Sequence, residues 1–426
     1  MKVYTIGGYD EVGKNMTAID VNGKLVLIDM GYDMETVVEE DQEVEQMTTT
    51  ATIEAGAIPD DSQIHDRKED VEAIIIGHGH LDHVGAVPKL AAAYDCPIVA
   101  TPYTMSIIDR MIDQDRKEVL NEKIELETGE TLQLDEDITL EFVNITHSIP
   151  GTALTVLHTD EGTVVYSLDY RLDDEPVLGD PPDYDRLKEL GDEGVDLFIG
   201  DSTRVEDPQR GRSEETVATE LQHTIDMAYD EGGAAIVSTF SSHIERLHEI
   251  LDANDGRRKV AFIGRSLKEY TASAEEIDLI DRSDIEVASY RDEVQELLQK
   301  ISGEREDWLI VCTGNQGEPR AALTRIAKGE YPLEIKPGDQ VIYSCSVIPT
   351  PINRANRYKA EKHLKQRGAR IYKDIHTSGH AKREDNRDML RMLEPEKIIP
   401  AHGTTPMLAS YAELAQEEGY TLNEDV

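Results

Sequence analysis

Residues 74–85 read IIIGHGHLDHVG and bring His78, His80, Asp82 and His83 within six positions. Imidazole nitrogens and carboxylate oxygens are the donors that borderline divalent ions accept. Residues two apart on an extended chain point the same way, so His78 and His80 can share one ion. Asp82 and His83, further round the turn, can reach a neighbouring one. Three more candidates each follow an apolar run: His147 in FVNITHSIP, Asp169 in TVVYSLD and His402 in KIIPAHGT. With His78, His80 and His147 on one ion, Asp82, His83 and His402 on the other, and Asp169 bridging, the chain would hold two metals about 3.5–4 Å apart. Four or five imidazoles favour two Zn²⁺, with Mn²⁺ as the alternative. Such a pair turns water into hydroxide near neutral pH and stabilises phosphoryl oxygens under attack, which fits phosphodiester hydrolysis.

Other groups complement this set. His380 follows Ser378 and Gly379, and a hydroxyl, an amide and an imidazole together can grip a phosphate. The imidazolium could then protonate a leaving 3′-oxygen, with Asp201, the end of VDLFIGD, orienting the ring. Asp82, Asp201 and His380 are accordingly the catalytic candidates. Asp29, which closes an apolar run before Gly31, can brace the metal loop by accepting hydrogen bonds. His65 reads as a surface residue, His158 as incidental and His376 as structural.

These residues need rigid elements beneath them. Strands are expected over 2–6, 16–21 and 24–30, the last two joined by an Asn22-Gly23 hairpin turn. Helices are expected over 87–94 and 104–118, and antiparallel strands over 124–141. Residues 34–70, with EEDQEVEQ and DDSQIHDRKED, are acidic and weakly patterned. Beyond residue 205 the pattern becomes strand followed by helix, with strands over 234–239, 259–263, 308–313 and 340–346. That rhythm predicts a separate parallel-sheet domain over 205–350.

The 426 residues suffice for two or three domains. Charge is lopsided: 87 acidic against 43 basic residues, a formal net of −44. An acidic surface repels nucleic acid. In molar salt, however, the Debye length is about 3 Å and the repulsion nearly vanishes. The acidity therefore reads as adaptation to a hypersaline cytoplasm. There is no apolar run of eighteen residues, and the N-terminus begins a strand instead of a signal peptide. A cytoplasmic protein with no membrane partner is expected. Cys96, Cys312 and Cys345 form no disulfide framework, and the last two read as buried core residues.

The motif His78-Gly79-His80-Leu81-Asp82-His83, joined by Asp29, His147 and Asp169, resembles the signature of the metallo-β-lactamase superfamily. Asp201 in GDST, His380 in SGHA and His402 in PAHGT resemble the motifs of its β-CASP nucleic-acid-processing branch. Within that branch GGYDEVGKN, STFSSHIERL, GRSL, TGNQGEPRAAL and HTSGHA are similar to the ribonuclease J family, over about residues 3–410. A chain that stops soon after His402, together with the acidity, resembles archaeal and specifically haloarchaeal members.

The resemblance implies an α/β fold: a metallo-β-lactamase αββα sandwich formed by residues 1–204 and 351–426, with a β-CASP domain inserted at 205–350. It implies a two-metal ribonuclease acting 5′-to-3′ on single-stranded RNA with a 5′-monophosphate, in RNA decay and maturation, and a homodimer. Ser241, Ser242, His243, Asn315 and Gln316 would hold the terminal phosphate. The alternatives are an endoribonuclease of the same branch and a small-molecule metallo-hydrolase. The second leaves Asp201, His380 and the insert without a role.

Overall fold

The computed structural model describes residues 1–36, 44, 47–115, 118–167, 169–348 and 350–426. Most of EEDQEVEQ lies outside the described residues, as do residues 116–117 of the expected helix 104–118; that helix is observed as Pro102–Asp115. Contacts divide the chain into two compact units. The first comprises Met1–Asp174, Gly179–Gly211 and Gly379–Val426, and the second Glu175–Leu178 and Arg212–Ser378.

The first unit holds two six-stranded sheets. One contains β1 (Lys2–Gly7), β2 (Met16–Val21), β3 (Lys24–Ile28), β4 (Val71–Ile76), β5 (Ile98–Ala100) and β6 (Lys123–Glu125), in that spatial order. Asn22 and Gly23, at φ +51° and +88°, make the tight turn between β2 and β3. The other contains β7 (Thr131–Asp135), β8 (Ile138–Asn144), β9 (Ala153–Thr159), β10 (Gly162–Tyr166), β11 (Leu197–Asp201) and β18 (Lys397–Ala401), ordered β18-β11-β10-β9-β8-β7. The expected antiparallel run over 124–141 is realised only by β7 and β8. β6 instead pairs in parallel with β5 at the edge of the first sheet.

Strand alternation explains the layers. Ala73 and Ile75 of β4 join Val26 and Ile28 of β3 in a core shared with Leu140, Phe142, Leu157, Val164 and Ile199 of the second sheet. On the far face of the second sheet, Val143, Val156, Val165 and Phe198 pack on Leu187 and Leu190 of the helix Tyr184–Glu193. Met389 and Leu390 of Arg383–Leu393 and Tyr411 and Leu414 of Thr405–Glu417 complete that layer. The helix Pro102–Asp115 lies against β5 and β6. The order of layers is helix, sheet, sheet, helix.

One consequence governs the chemistry. β3 and β4 run parallel, as do β10, β11 and β18. β8 shares the direction of β10, since both are antiparallel to β9 between them. The C-terminal ends of these strands are where Asp29, His78, His147, Asp169, Asp201 and His402 fall. Regular strands thus carry ligands contributed from across the sequence to strand ends of one sense.

The second unit is a parallel sheet of β12 (Ala235–Ser238), β13 (Lys259–Ile263), β14 (Ile285–Ala288), β15 (Trp308–Cys312), β16 (Gln340–Tyr343) and β17 (Arg370–Tyr372), ordered β14-β13-β15-β12-β16-β17. Its core is built on fully buried Trp308 with Ile236, Ile263, Ile310, Leu323 and Val341. The sequence reading ended this region at residue 350, whereas the compact unit runs to Ser378. The helix Pro351–Gln366 and β17 continue its βα rhythm and complete its sheet. All three cysteines are buried and free.

Phe142, completely buried between the two sheets of the first unit, tests that core. Phe142→Ala should cost about 3–5 kcal/mol in denaturant unfolding. A loss under 1 kcal/mol would contradict the packing described.

Candidate metal centre

The loop after β4 carries the densest ligand run. His78 lies two residues past the strand. His80 then caps the short helix Leu81–Val84 in an extended conformation (φ −76°, ψ 146°), which turns Asp82 and His83 toward the same centre. Backbone bonds lock this loop: Met30 N donates to His83 O at 2.7 Å, Tyr32 N to Leu81 O at 2.8 Å and Asn15 N to Asp82 O at 3.1 Å. Gly31 permits the approach, because a Cβ there would lie 1.6 Å from Asp82 O.

Three groups of ligand atoms form around one carboxylate: His78, His80 and His147 with Asp169; Asp82, His83 and His402 with Asp169; and Asp201, His380 and His402 with Asp169. Oδ1 of Asp169 lies 3.2 Å from His83 Nε2 and 3.3 Å from His402 Nε2. Oδ2 lies 3.5 Å from His78 Nε2, 3.6 Å from His147 Nε2 and 3.8 Å from His380 Nε2. The first two groups are the two triads inferred from spacing, with Asp169 common to both.

Three of the rings, those of His83, His147 and His402, are aimed by their other nitrogen. Nδ1 of His83 meets Asp29 Oδ2 at 2.7 Å, Nδ1 of His147 meets Gly379 O at 2.6 Å, and Nδ1 of His402 meets Asn15 Oδ1 at 3.0 Å. Such partners fix tautomer and orientation, leaving Nε2 to face the centre. Asp29 and His402 sit at φ +67° and +50°, left-handed backbone that costs non-glycine residues energy and recurs at functional sites. Gly379 is constrained too, since a Cβ there would fall 2.6 Å from His147 Cε1.

Protonation suits metal binding in the first triad, whereas for His83 of the second burial acts downward but Asp169, Asp29 and Asp82 outweigh it and raise the ring well above its ordinary value. Burial lowers the imidazolium pKa of His78, of His80 to about 3 and of His147 well below the ordinary value, with neighbouring imidazoles adding to it; all three present neutral lone pairs. For His380, burial acts downward but Asp169 and Asp201 outweigh it and raise the ring to about 9. Its Nδ1 lies 3.0 Å from Asp201 Oδ2. Both nitrogens of His78, Oδ1 of Asp169 and Nε2 of His402 are shielded from solvent yet make no hydrogen bond. Buried polar atoms are rarely left so. A mixed set of nitrogen and oxygen donors with these orphaned atoms fits a pair of borderline divalent ions.

The second unit treats the expected phosphate residues unevenly. Ser241 and Ser242 are half-buried, and Ser241 Oγ meets Ser266 Oγ at 2.9 Å. His243 is only 1% exposed, and its Nε2 lies 3.3 Å from Glu214. Its ring thus lies in the interior beside a carboxylate. Asn315 and Gln316 are also buried. Gln316 spends its amide on Ser346 O and the Ile348 amide, bracing that loop. Ser378 is half-buried beside Gly379. His65 is exposed, as expected, and His158 pairs with Glu141 at 2.6 Å. Sequence reasoning gave Asn15 no role; the signal available was a polar residue at the mouth of an apolar strand.

Residues 9–264 match the family model described as the Metallo-beta-lactamase superfamily, 232–359 that of Ribonuclease J, beta-CASP domain, and 366–424 that of the Zn-dependent metallo-hydrolase RNA specificity domain. The chain is 46% identical over 430 residues to the Ribonuclease J of Pyrococcus abyssi, covering 100% of this chain and 95% of that one. The chain belongs to the ribonuclease J family. The Ribonuclease J of Methanocaldococcus jannaschii is 42% identical, with 100% and 96% covered. A crystal structure of an Enterococcus faecalis protein of unknown function superposes with a TM-score of 0.67 at 16% identity, covering 95% of this chain and 94% of that one; this similarity speaks to fold alone. The first unit is thus the metallo-β-lactamase αββα sandwich, and the inserted parallel-sheet unit is the β-CASP domain typical of the ribonuclease J family.

Two substitutions test the centre through metal content. Gly379→Ala should displace the His147 ring and lower bound metal, by elemental analysis of the purified protein, from about two ions per chain to one or none. Asn15→Ala should weaken metal affinity about 10–100-fold in a chelator competition, as expected for loss of an outer hydrogen-bond partner. Wild-type stoichiometry and affinity in both would refute the assignment.

Proposed function

We propose that the chain is a metal-dependent ribonuclease that hydrolyses RNA phosphodiesters from the 5′ end and prefers a 5′-monophosphate. The observation that carries the reading is the sharing of Asp169 by two ligand triads and by the Asp201–His380 pair. Family membership supports the same chemistry, both named relatives above being called Ribonuclease J. His78, His80 and His147 would hold one ion, and Asp82, His83 and His402 the other, with Asp169 common to both and Zn²⁺ favoured over Mn²⁺ by the imidazole count. Bound there, such a pair supplies Lewis acidity to a phosphoryl group and lowers the pKa of water.

The remaining work falls to the chain's own groups. Asp201 accepts from Nδ1 of His380 and so fixes which nitrogen faces the centre. Its Nε2, on the Asp169 side, is the atom placed to pass a proton to a leaving 3′-oxygen. Asp29, Asn15 and the Gly379 carbonyl hold the ligand rings in register during the reaction. Ser241 and Ser242 are the hydroxyls proposed for the terminal phosphate.

The test uses single-stranded RNA labelled at its 3′ end, carrying a 5′-monophosphate or a 5′-triphosphate, in molar KCl with Zn²⁺ or Mn²⁺. A labelled fragment that shortens progressively, faster from the monophosphate, is the expected result, and EDTA should abolish it. Asp82→Ala should reduce the rate at least 10³-fold, while His380→Ala should lose about 10²–10⁴-fold, the usual worth of a general acid. Discrete internal cuts indifferent to the 5′ end would replace this reading with an endonuclease. No cleavage of either RNA would remove it.

A further inference from the structure

Within a chain of net charge −44, residues 351–373 (PINRANRYKAEKHLKQRGARIYK) hold eight Lys and Arg against a single Glu. Most of this stretch is the helix Pro351–Gln366, started by Thr350, whose hydroxyl accepts from the Asn353 amide. The inward face consists of Asn353, Arg357, Ala360, Glu361 and Leu364. Arg357 is committed to structure: its guanidinium lies over the Tyr343 ring at 3.2 Å and meets Glu361 at 3.1 Å. Glu361 also takes Lys365 at 3.5 Å and Lys373 at 2.9 Å, so the one acid of the stretch is spent.

The outward face differs. Arg354, Tyr358, Lys359, Lys362 and Lys365 are exposed, with Tyr358 at 69%. Arg354, Tyr358 and Lys362 are spaced i, i+4, i+8, which stacks an aromatic ring between two cations along one stripe. Arg354, Lys359 and Lys362 form no ion pair among the described residues. On Arg383–Leu393, by contrast, Arg383, Arg387 and Arg391 all engage Glu417 or Glu418. Three unpaired cations on one helix face make a locally basic patch in a protein with a twofold excess of acid.

We propose that this outward face is a docking surface for single-stranded RNA, with Arg354, Lys359 and Lys362 on phosphates and Tyr358 stacked on a base. The proposal rests on the ribonuclease reading above and adds a place where the substrate is held. From Arg354 to Lys365 the helix runs about 16 Å, long enough to follow several nucleotides. Cations interleaved with an exposed ring are the combination that grips single strands without regard to sequence. An acidic second copy of the chain would also match the charge. Protein interfaces, however, are depleted in lysine and built round an apolar centre, whereas lysine prevails here and the stripe's centre is a lone tyrosine flanked by charge.

The experiment measures binding of a 30-nucleotide oligouridylate, 3′-labelled with fluorescein, to the full chain by anisotropy in EDTA over a KCl series. Arg354→Gln/Lys359→Gln/Lys362→Gln should bind at least tenfold more weakly at the lowest salt. The slope of log affinity against log salt should fall by about 2, close to 0.7 for each lost phosphate contact. Tyr358→Ala should weaken binding about tenfold with the slope unchanged, because stacking releases no counterions. Circular dichroism and light scattering should match the wild type in both variants. Wild-type affinity and slope in the triple variant, while the unaltered chain binds and degrades RNA, would overturn this surface alone. If the triple variant lost self-association and kept RNA binding, the face would belong to a second copy. An unaltered chain that neither binds nor cleaves RNA would overturn the ribonuclease reading itself.

Discussion

The structure of the metal centre depends on a single carboxylate. Asp169 turns one oxygen toward His83 and His402 and the other toward His78, His147 and His380. Asp29, Asp82 and Asp201 gather round the same centre, of which Asp29, Asp169 and Asp201 are almost fully buried. Burying so many carboxylates is costly unless positive charge compensates them. Three of the neighbouring imidazoles are held neutral by burial, so they cannot supply it. Raised imidazoles at His83 and His380 answer part of the excess. The remainder is buried negative charge of the kind that divalent cations offset, and Asp201 holds the His380 ring by its Nδ1 beside it.

Holding that arrangement consumes stability elsewhere. Left-handed backbone at Asp29 and His402 costs on the order of 1–3 kcal/mol each. Such strain persists only where the surroundings over-determine it. Here the surroundings are the core between the two sheets and the backbone bonds that tie the 81–83 loop to residues 15, 30 and 32. Rigid strands with a shared sense carry ligands separated by more than 300 residues, from His78 to His402, to one centre. The fold acts as the positioning device, and the loops at strand ends carry the chemistry.

This division explains what could be read from the sequence. The run His78 to His83 is dense because one loop must serve both triads, and density survives in a linear string. His147, Asp169, Asp201 and His402 were legible because each follows an apolar strand. Asn15, Gly31 and Gly379 were not readable in their actual roles. A hydrogen bond between residues 15 and 402, and steric room for Asp82 O or His147, exist only once distant strands meet. The insert was legible through its central strands, whereas β14 and β17 escaped because these edge strands are only four and three residues long, too short for a pattern to show. The setting of His243 was not legible, since its sequence neighbours are serines. Its spatial neighbour is Glu214, 29 positions earlier, which the one-dimensional pattern does not announce.

Net charge was the weakest guide of all, and electrostatic range shows why. At 0.15 M salt the Debye length is about 8 Å, shorter still in brine, so a bound polyanion feels mainly the charges it touches. A total of −44 spread over a large surface then decides solubility and long-range approach more than contact. Pairing decides the rest. Where carboxylates lie within reach, as at Glu417 and Glu418, arginines are cancelled and the surface is locally neutral or acidic. Along Pro351–Gln366 the only acid faces inward and is shared among three cations, so Arg354, Lys359 and Lys362 of the outward face stay unpaired among the described residues. A strongly acidic protein can therefore keep a basic stripe without contradiction, provided the stripe's own acids are buried and spent. That condition concerns residues a few ångströms apart, and the composition of the whole chain does not bear on it.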